Sequence, residues 1–179
     1  MRFSNILFLT LVLAVPANFA WGQTYTVAPL IADFTVEQRD ITTQDITVTN
    51  TGASYVQLFP AVNNITVGES GGIEEFVPPS MSEKTTSLSS WIEVSRMPLE
   101  MQPGETIKVP FTIRVNPNAA PGTYHALISF PKGSNRDEAE SKILQGGVPS
   151  VIVNVVLEDK KVEGIKLSQF VVKRFVTGN

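Results

Sequence analysis

The side chains that could do chemistry are few, and their spacing does not suit it. His125 is the sole histidine, and the 179-residue chain has no cysteine. A disulfide framework, a thiolate zinc site and a cysteine nucleophile are excluded together, and a metal site would have to be built from carboxylates alone. Carboxylates do cluster, as Glu74 and Glu75 in one polar stretch and Asp137, Glu138 and Glu140 in another. A dedicated calcium loop alternates Asp or Asn ligands around a glycine; neither stretch does, so both are expected to be solvated faces. No serine stands in a Gly-x-Ser-x-Gly elbow, and one histidine poorly positions a triad. Gly71-Gly72 and Gly146-Gly147 lack the Lys-Ser/Thr and helix that complete a phosphate loop. The expectation is a protein that is not an enzyme, with no catalytic, cofactor or metal residues and with its ligand-binding residues unassigned. Trp91 is expected to plug a core, the alternative being an exposed platform for stacking sugars. Asn64-Ile65-Thr66 is a formal glycosylation acceptor, a triplet short enough to arise by chance.

The elements that must position these residues are clearest between Trp91 and Phe130. Ile107, Val109, Phe111, Ile113 and Val115 alternate with Lys108, Pro110, Thr112 and Arg114, the period-two pattern of a strand with one buried and one solvated face. Gln102-Pro103-Gly104-Glu105 precedes it as a turn, Pro fixing φ and Gly supplying φ > 0. After Pro121-Gly122 the alternation restarts at Tyr124, Ala126, Ile128 and Phe130, which would point His125 away from the core. Earlier, Ile46 and Val48 alternate ahead of Asn50-Thr51-Gly52, a turn signal. Pro29 marks an edge or a strand switch, and Pro60 a kink, because proline cannot donate to a ladder; Pro29 and Pro110 are both candidates for protecting sheet edges. Val151 to Leu157 is β-branched and nearly all apolar, which predicts a central or last core strand buried on both faces.

Two stretches break the pattern. Residues 68–90, with a short apolar clip at Ile73, Phe76 and Val77, are expected to form a long, mobile surface loop. Lys132 to Ser141 is a second polar insert. Nothing after residue 22 has a convincing 3.6-residue period, so no helix is expected. The prediction is an all-β, immunoglobulin-like antiparallel β-sandwich of about seven strands.

The amino terminus sets the expected compartment. Arg2, an apolar run from Ile6 to Ala17, and Ala20-Trp21-Gly22 before Gln23 have the layout of a secretory signal peptide, the run being shorter than the ~20 residues of a spanning helix. The expected organisation is a signal peptide at 1–22, an immunoglobulin-like domain at 23–159, and at 160–179 an extra strand or the start of a truncated second β domain. Localisation is expected to be extracytoplasmic: secreted, cell-surface or periplasmic. With a net charge of −3 and scattered Lys and Arg, there is no basic field for nucleic acid or a membrane surface. Membrane association would come only through the signal peptide or a missing carboxy-terminal anchor.

Ser87-Leu88-Ser89-Ser90-Trp91-Ile92, Leu99 with Pro103-Gly104-Glu105, Phe111-Thr112-Ile113 and Pro121-Gly122-Thr123-Tyr124-x-Ala126-x-Ile128 together resemble the peptidoglycan-binding immunoglobulin-like domain of the WxL-interacting proteins of bacterial surfaces. More distantly they resemble the amino-terminal domain of pilus chaperones. Val27-Ala28-Pro29 and Ile46 to Gly52 extend the likeness over most of residues 24–158. The first resemblance implies a non-catalytic module binding cell-wall glycan or a surface protein. The second implies a periplasmic chaperone, which needs a paired Arg and Lys in a cleft; Arg39 and Lys108 are the available cations, and nothing in the sequence puts them together. A third reading is a structural spacer domain in a longer surface protein.

Overall fold

The computed structural model describes residues 24–68, 72–77 and 84–159. The expected signal peptide and the expected extra strand at 160–179 lie outside the described residues. Two sheets face each other. The first runs, in spatial order, β1 (Tyr25–Ala28), β3 (Ile41–Asn50), β9 (Thr106–Arg114) and β7 (Ile92–Val94). The second runs β2 (Ile31–Val36), β11 (Ser150–Leu157), β10 (Gly122–Ser129), β5 (Ala61–Val67) and β6 (Ile73–Val77). A two-stranded ribbon, β4 (Val56–Leu58) with β8 (Leu99–Met101), closes one end. All neighbours are antiparallel except β2 and β11, which are parallel.

The alternating runs explain the core. In β3 and β9, Ile46 lies opposite Val109 and Val48 opposite Ile107; Ile46, Val48, Val109, Phe111 and Ile113 are buried. The outward residues pair as hydroxyls, Thr43 with Thr112 at 2.9 Å and Thr49 with Thr106 at 3.0 Å. Pro29 follows β1 through a cis peptide bond, and the chain there leaves the first sheet for the second, the strand switch that proline predicts. Tyr25 ties the layers together: its hydroxyl donates to the Phe130 carbonyl at 2.6 Å, and burial pushes its phenol pKa up.

Several expectations are corrected. There are eleven strands among the described residues, not about seven. The stretch 68–90 is not one long loop: it contains β6, hydrogen-bonded to β5 with Ile65 opposite Phe76, and a 3-10 turn at Leu88–Ser90. The second polar insert contains a helix, α1 (Arg136–Ile143). Asn135 caps it by accepting from the Glu138 N–H at 2.9 Å, and its charged residues pair one turn apart, Arg136 with Glu140 at 2.8 Å and Lys142 with Glu138 at 2.7 Å, arrangements that favour a helix locally. β11 buries one face only: Val151, Val153, Val155 and Leu157 point inward, while Val156 is 43% exposed on the other side. Pro60 separates β4 from β5, where the chain passes from the ribbon into the second sheet. Pro110 lies within β9, opposite Asp45, one residue beyond the last β7 partner, so its missing N–H falls where β9 is paired on one side only.

Candidate functional site

The two sheets leave the sandwich open on the side where β7 ends the first and β5 and β6 end the second, and α1 packs across that opening. The result is a cleft of about 830 Å³. Its floor is apolar, from Val62 on β5, Phe76 on β6, Ile92 and Val94 on β7, and Ile143 on α1; its rim carries Glu93, Arg96, Asp137 and Glu140. Arg136 fixes the helix over the opening. Its guanidinium donates to the Pro60 carbonyl at 3.2 Å, to Glu140 at 2.8 Å and to the Arg96 carbonyl, and lies 5.7 Å from the Phe59 ring centre. Glu93 pairs with Arg114 at 2.9 Å. Two of the rim's charged groups, Glu93 and Glu140, are therefore held in place, and the lip residue Leu144 stands 78% exposed. A smaller apolar trough of about 430 Å³ adjoins the cleft and shares Phe76 and Ile143 with it; Leu30, Ile31, Leu127, Val148 and Ile152 line the rest.

A floor of this kind can bury apolar side chains of a ligand, while fixed charges on the rim set its orientation. The carboxylates singled out by sequence do not converge on a cation: among the described residues no group of three or more His, Cys, Asp or Glu could hold a metal. Glu138 is engaged on α1 by Lys142 and by Ser134, and these hydrogen bonds pull its pKa down to about 2. Glu74 and Glu75 lie exposed on β6.

The remaining candidates are placed as follows. His125 sits on the outer face of the second sheet, its Nδ1 at 2.8 Å from Asn154 Oδ1, and Asn154 Nδ2 donates to Asp33 at 2.7 Å. Trp91 is 2% exposed. Its Nε1 donates to the Lys84 carbonyl at 2.6 Å and its ring lies 4.7 Å from that of Tyr124; it is a core plug, set just before the short edge strand β7. Asn64 uses its amide on both sides, donating to Ser87 Oγ at 2.6 Å and accepting from the Ser89 N–H at 2.8 Å. Arg39 occupies the β2–β3 turn with φ 71°. Lys108 is opposite Thr47, and it approaches Asp45 to 4.0 Å; eight residues of chain, six of them along β3, put the two cations roughly 20 Å apart. They are not a pair.

Sequence reasoning missed Asn50, wholly buried at the end of β3. Its Nδ2 donates to the carbonyls of Ser54, Met101 and Gln102, and its Oδ1 accepts from the Gly52 N–H. The only signal was the turn sequence that it opens.

Neither a family model nor a curated protein sequence matches the chain. Among solved structures, a chain of the chaperone–tip adhesin complex of CFA/I fimbriae biogenesis aligns over 76% of this chain and 59% of its own, at 8% identity and TM-score 0.51. A protein of unknown function from Porphyromonas gingivalis W83 aligns over 78% and 50%, at 17% identity and TM-score 0.51. The ASH / PapD-like domain of human CEP192 aligns over 89% and 100%, at 12% identity and TM-score 0.49. The chain thus spans half to three-fifths of the first two structures. The likeness is one of fold: an immunoglobulin-like sandwich of the kind found in that fimbrial complex.

Proposed function

We propose that the chain is a non-catalytic, extracytoplasmic immunoglobulin-like module that binds another cell-surface protein, and that the cleft beneath α1 is where it binds. The observation that supports this reading most is the cleft itself, an apolar floor rimmed by charges, of which Glu93 and Glu140 are fixed by ion pairs, with Leu144 exposed at its lip. Such a patch suits side chains of a protein partner. Cell-wall glycan is the second reading, in line with the resemblance to WxL-interacting proteins. It is the weaker one, because a sugar site draws on an exposed aromatic face and Trp91 is buried. A pilus-type chaperone has the fold in its favour, but Arg39 and Lys108 are too far apart to hold one carboxylate.

The test is co-sedimentation with bacterial envelopes before and after proteolytic stripping of their proteins. The reading expects saturable binding that survives moderate salt, is lost on stripping, and falls at least tenfold in a Leu144→Asp variant. Binding retained on stripped sacculi would transfer the function to glycan. Absence of binding to either would overturn both readings and leave a spacer.

A further inference from the structure

The second sheet ends in β2, and its hydrogen bonds show which way each residue of that strand faces. Ile152 N–H donates to the Leu30 carbonyl and Glu158 N–H to the Val36 carbonyl, both at 2.9 Å. Successive residues of a strand send their N–H and C=O groups to opposite sides. Leu30, Ala32, Phe34 and Val36 therefore face β11, and Ile31, Asp33 and Thr35 present their backbone groups to the other side. Among the described residues no strand pairs with that side. Strands left open in this way are ordinarily blunted by proline, a bulge, charged side chains or a very short length; β2 has six residues, no proline and no register break, and its one charged residue, Asp33, is engaged by Asn154 of β11.

The surroundings of the edge are asymmetric. At its start Leu30 and Ile31 are 67% and 54% exposed and form the wall of the apolar trough with Ile152 and Leu127. At its finish, among the described residues, Glu37 and Asp40 in the turn, with Glu158 and Asp159 after β11, set four carboxylates against the guanidinium of Arg39; Lys160 and Lys161 follow Asp159 in the sequence. We propose that this edge takes an extended segment of another protein as an added antiparallel strand, with alternate apolar side chains lying in the trough and basic residues at its amino end against the acidic turn. Antiparallel pairing is the more stable per residue, and it brings the partner's amino end to Val36. Main-chain hydrogen bonds supply the attachment and the trough supplies the side-chain preference, as in strand addition generally. The trough shares Phe76 and Ile143 with the cleft, but the outward backbone groups of β2 are no part of the cleft, so a test that reads those groups distinguishes this proposal from the reading above.

The test is a titration of the isotopically labelled chain, residues 23–179, with an acetylated, amidated octapeptide of two lysines followed by alternating valine and threonine. Amide resonances and hydrogen exchange are followed at Ile31, Asp33 and Thr35. The proposal expects saturable binding that protects these three amides. It also expects at least tenfold weaker binding for the peptide N-methylated at alternate residues, and several-fold weaker binding when the lysines are moved to the carboxyl end. Thr35→Pro removes one outward donor and leaves the β2–β11 ladder intact, as proline is tolerated on edges; it is expected to weaken binding about tenfold. If that variant does not fold, the N-methylated peptide carries the same comparison. No binding at millimolar peptide, binding insensitive to N-methylation, or amides already protected in the free chain, whether by residues 160–179 or by a second copy, would overturn the proposal.

Discussion

Replacing Asn50 by Asp changes almost no volume, but it turns a double donor into an acceptor at a point where the protein supplies carbonyls. Asn50 Nδ2 lies 2.9 Å from the Ser54 carbonyl, 3.2 Å from that of Met101 and 3.0 Å from that of Gln102, with the side chain fully buried. Its main chain joins the same corner, accepting from Gly104 N–H and donating to the Glu105 carbonyl, both at 2.9 Å. A carboxylate there faces oxygen on three sides. At about 1 kcal/mol net per hydrogen bond, losing two of the three donations even in the protonated acid costs about 2 kcal/mol. Ionisation adds about 1.4 kcal/mol for each unit by which the folded-state pKa is raised above the unfolded value of about 3.9, so a rise of two to three units brings the loss at pH 7 to about 5 kcal/mol. The sign follows from the direction of that shift. The variant is least impaired below about pH 3.9, where both states are protonated, and loses further stability as pH rises towards the folded-state pKa. Asn50→Ala removes the same bonds without a titrating group and is expected to cost about 3 kcal/mol at every pH. Urea unfolding of wild type and both variants at pH 3.5 and pH 7 measures this. An Asn50→Asp variant within about 1 kcal/mol of wild type at pH 7, or equally impaired at both pH values, would refute the account of this corner.

Other consequences are as direct. Trp91→Ala is expected to destabilise the fold by about 3–5 kcal/mol in denaturant unfolding, since it empties a core position and leaves the Lys84 carbonyl without its indole donor. Gly133→Ala places a methyl group 2.8 Å from the Asn135 carbonyl and 2.9 Å from Ala139 Cβ, and unfolding midpoints are expected to report a cost of about 1–3 kcal/mol. Glu138, held down to about 2 from 4.5, supports α1 above pH 4.5; that support is lost as pH falls towards 2, and amide exchange in α1 is expected to quicken over that window ahead of the β strands, an effect absent in Glu138→Gln. Leu144→Asp, at an exposed site, is expected to stay within about 0.5 kcal/mol of wild type, so any binding defect it shows is not a folding defect.

The sequence was most legible where burial is one-sided. β9 could be placed because its apolar residues alternate with Lys, Thr and Arg, β10 because Tyr124, Ala126 and Ile128 recur at every second position after a Pro-Gly turn, and the strand switch at Pro29 because a missing N–H constrains where a chain can pair. β11 was misjudged because Ile152 and Val156, on its outer face, are as apolar as the core residues beside them. α1 escaped because its eight residues bury only Ala139 and Ile143, too few to set up a helical period, and its caps and ion pairs read as a polar loop. β6 was hidden by the Gly, Ser and Glu around it; its pairing depends on Ile65 and Phe76 meeting across the sheet. The cleft had no linear signal at all, since β5, β7 and α1 are far apart in the chain and meet only after folding. Asn50 was visible only as a turn residue, because the carbonyls it gathers come from two other segments.

The claim that the cleft beneath α1 is the binding surface is tested most directly with single-cysteine labels, for which a chain without cysteine is well suited. An environment-sensitive dye is attached at Leu144→Cys on the lip of the cleft, or at Lys108→Cys on the outer face of the first sheet, and protein-bearing bacterial envelopes are added. The account predicts a blue shift and quencher protection for the label at 144 and no change at 108. Equal responses at both positions, or a response at 108 alone, would contradict it.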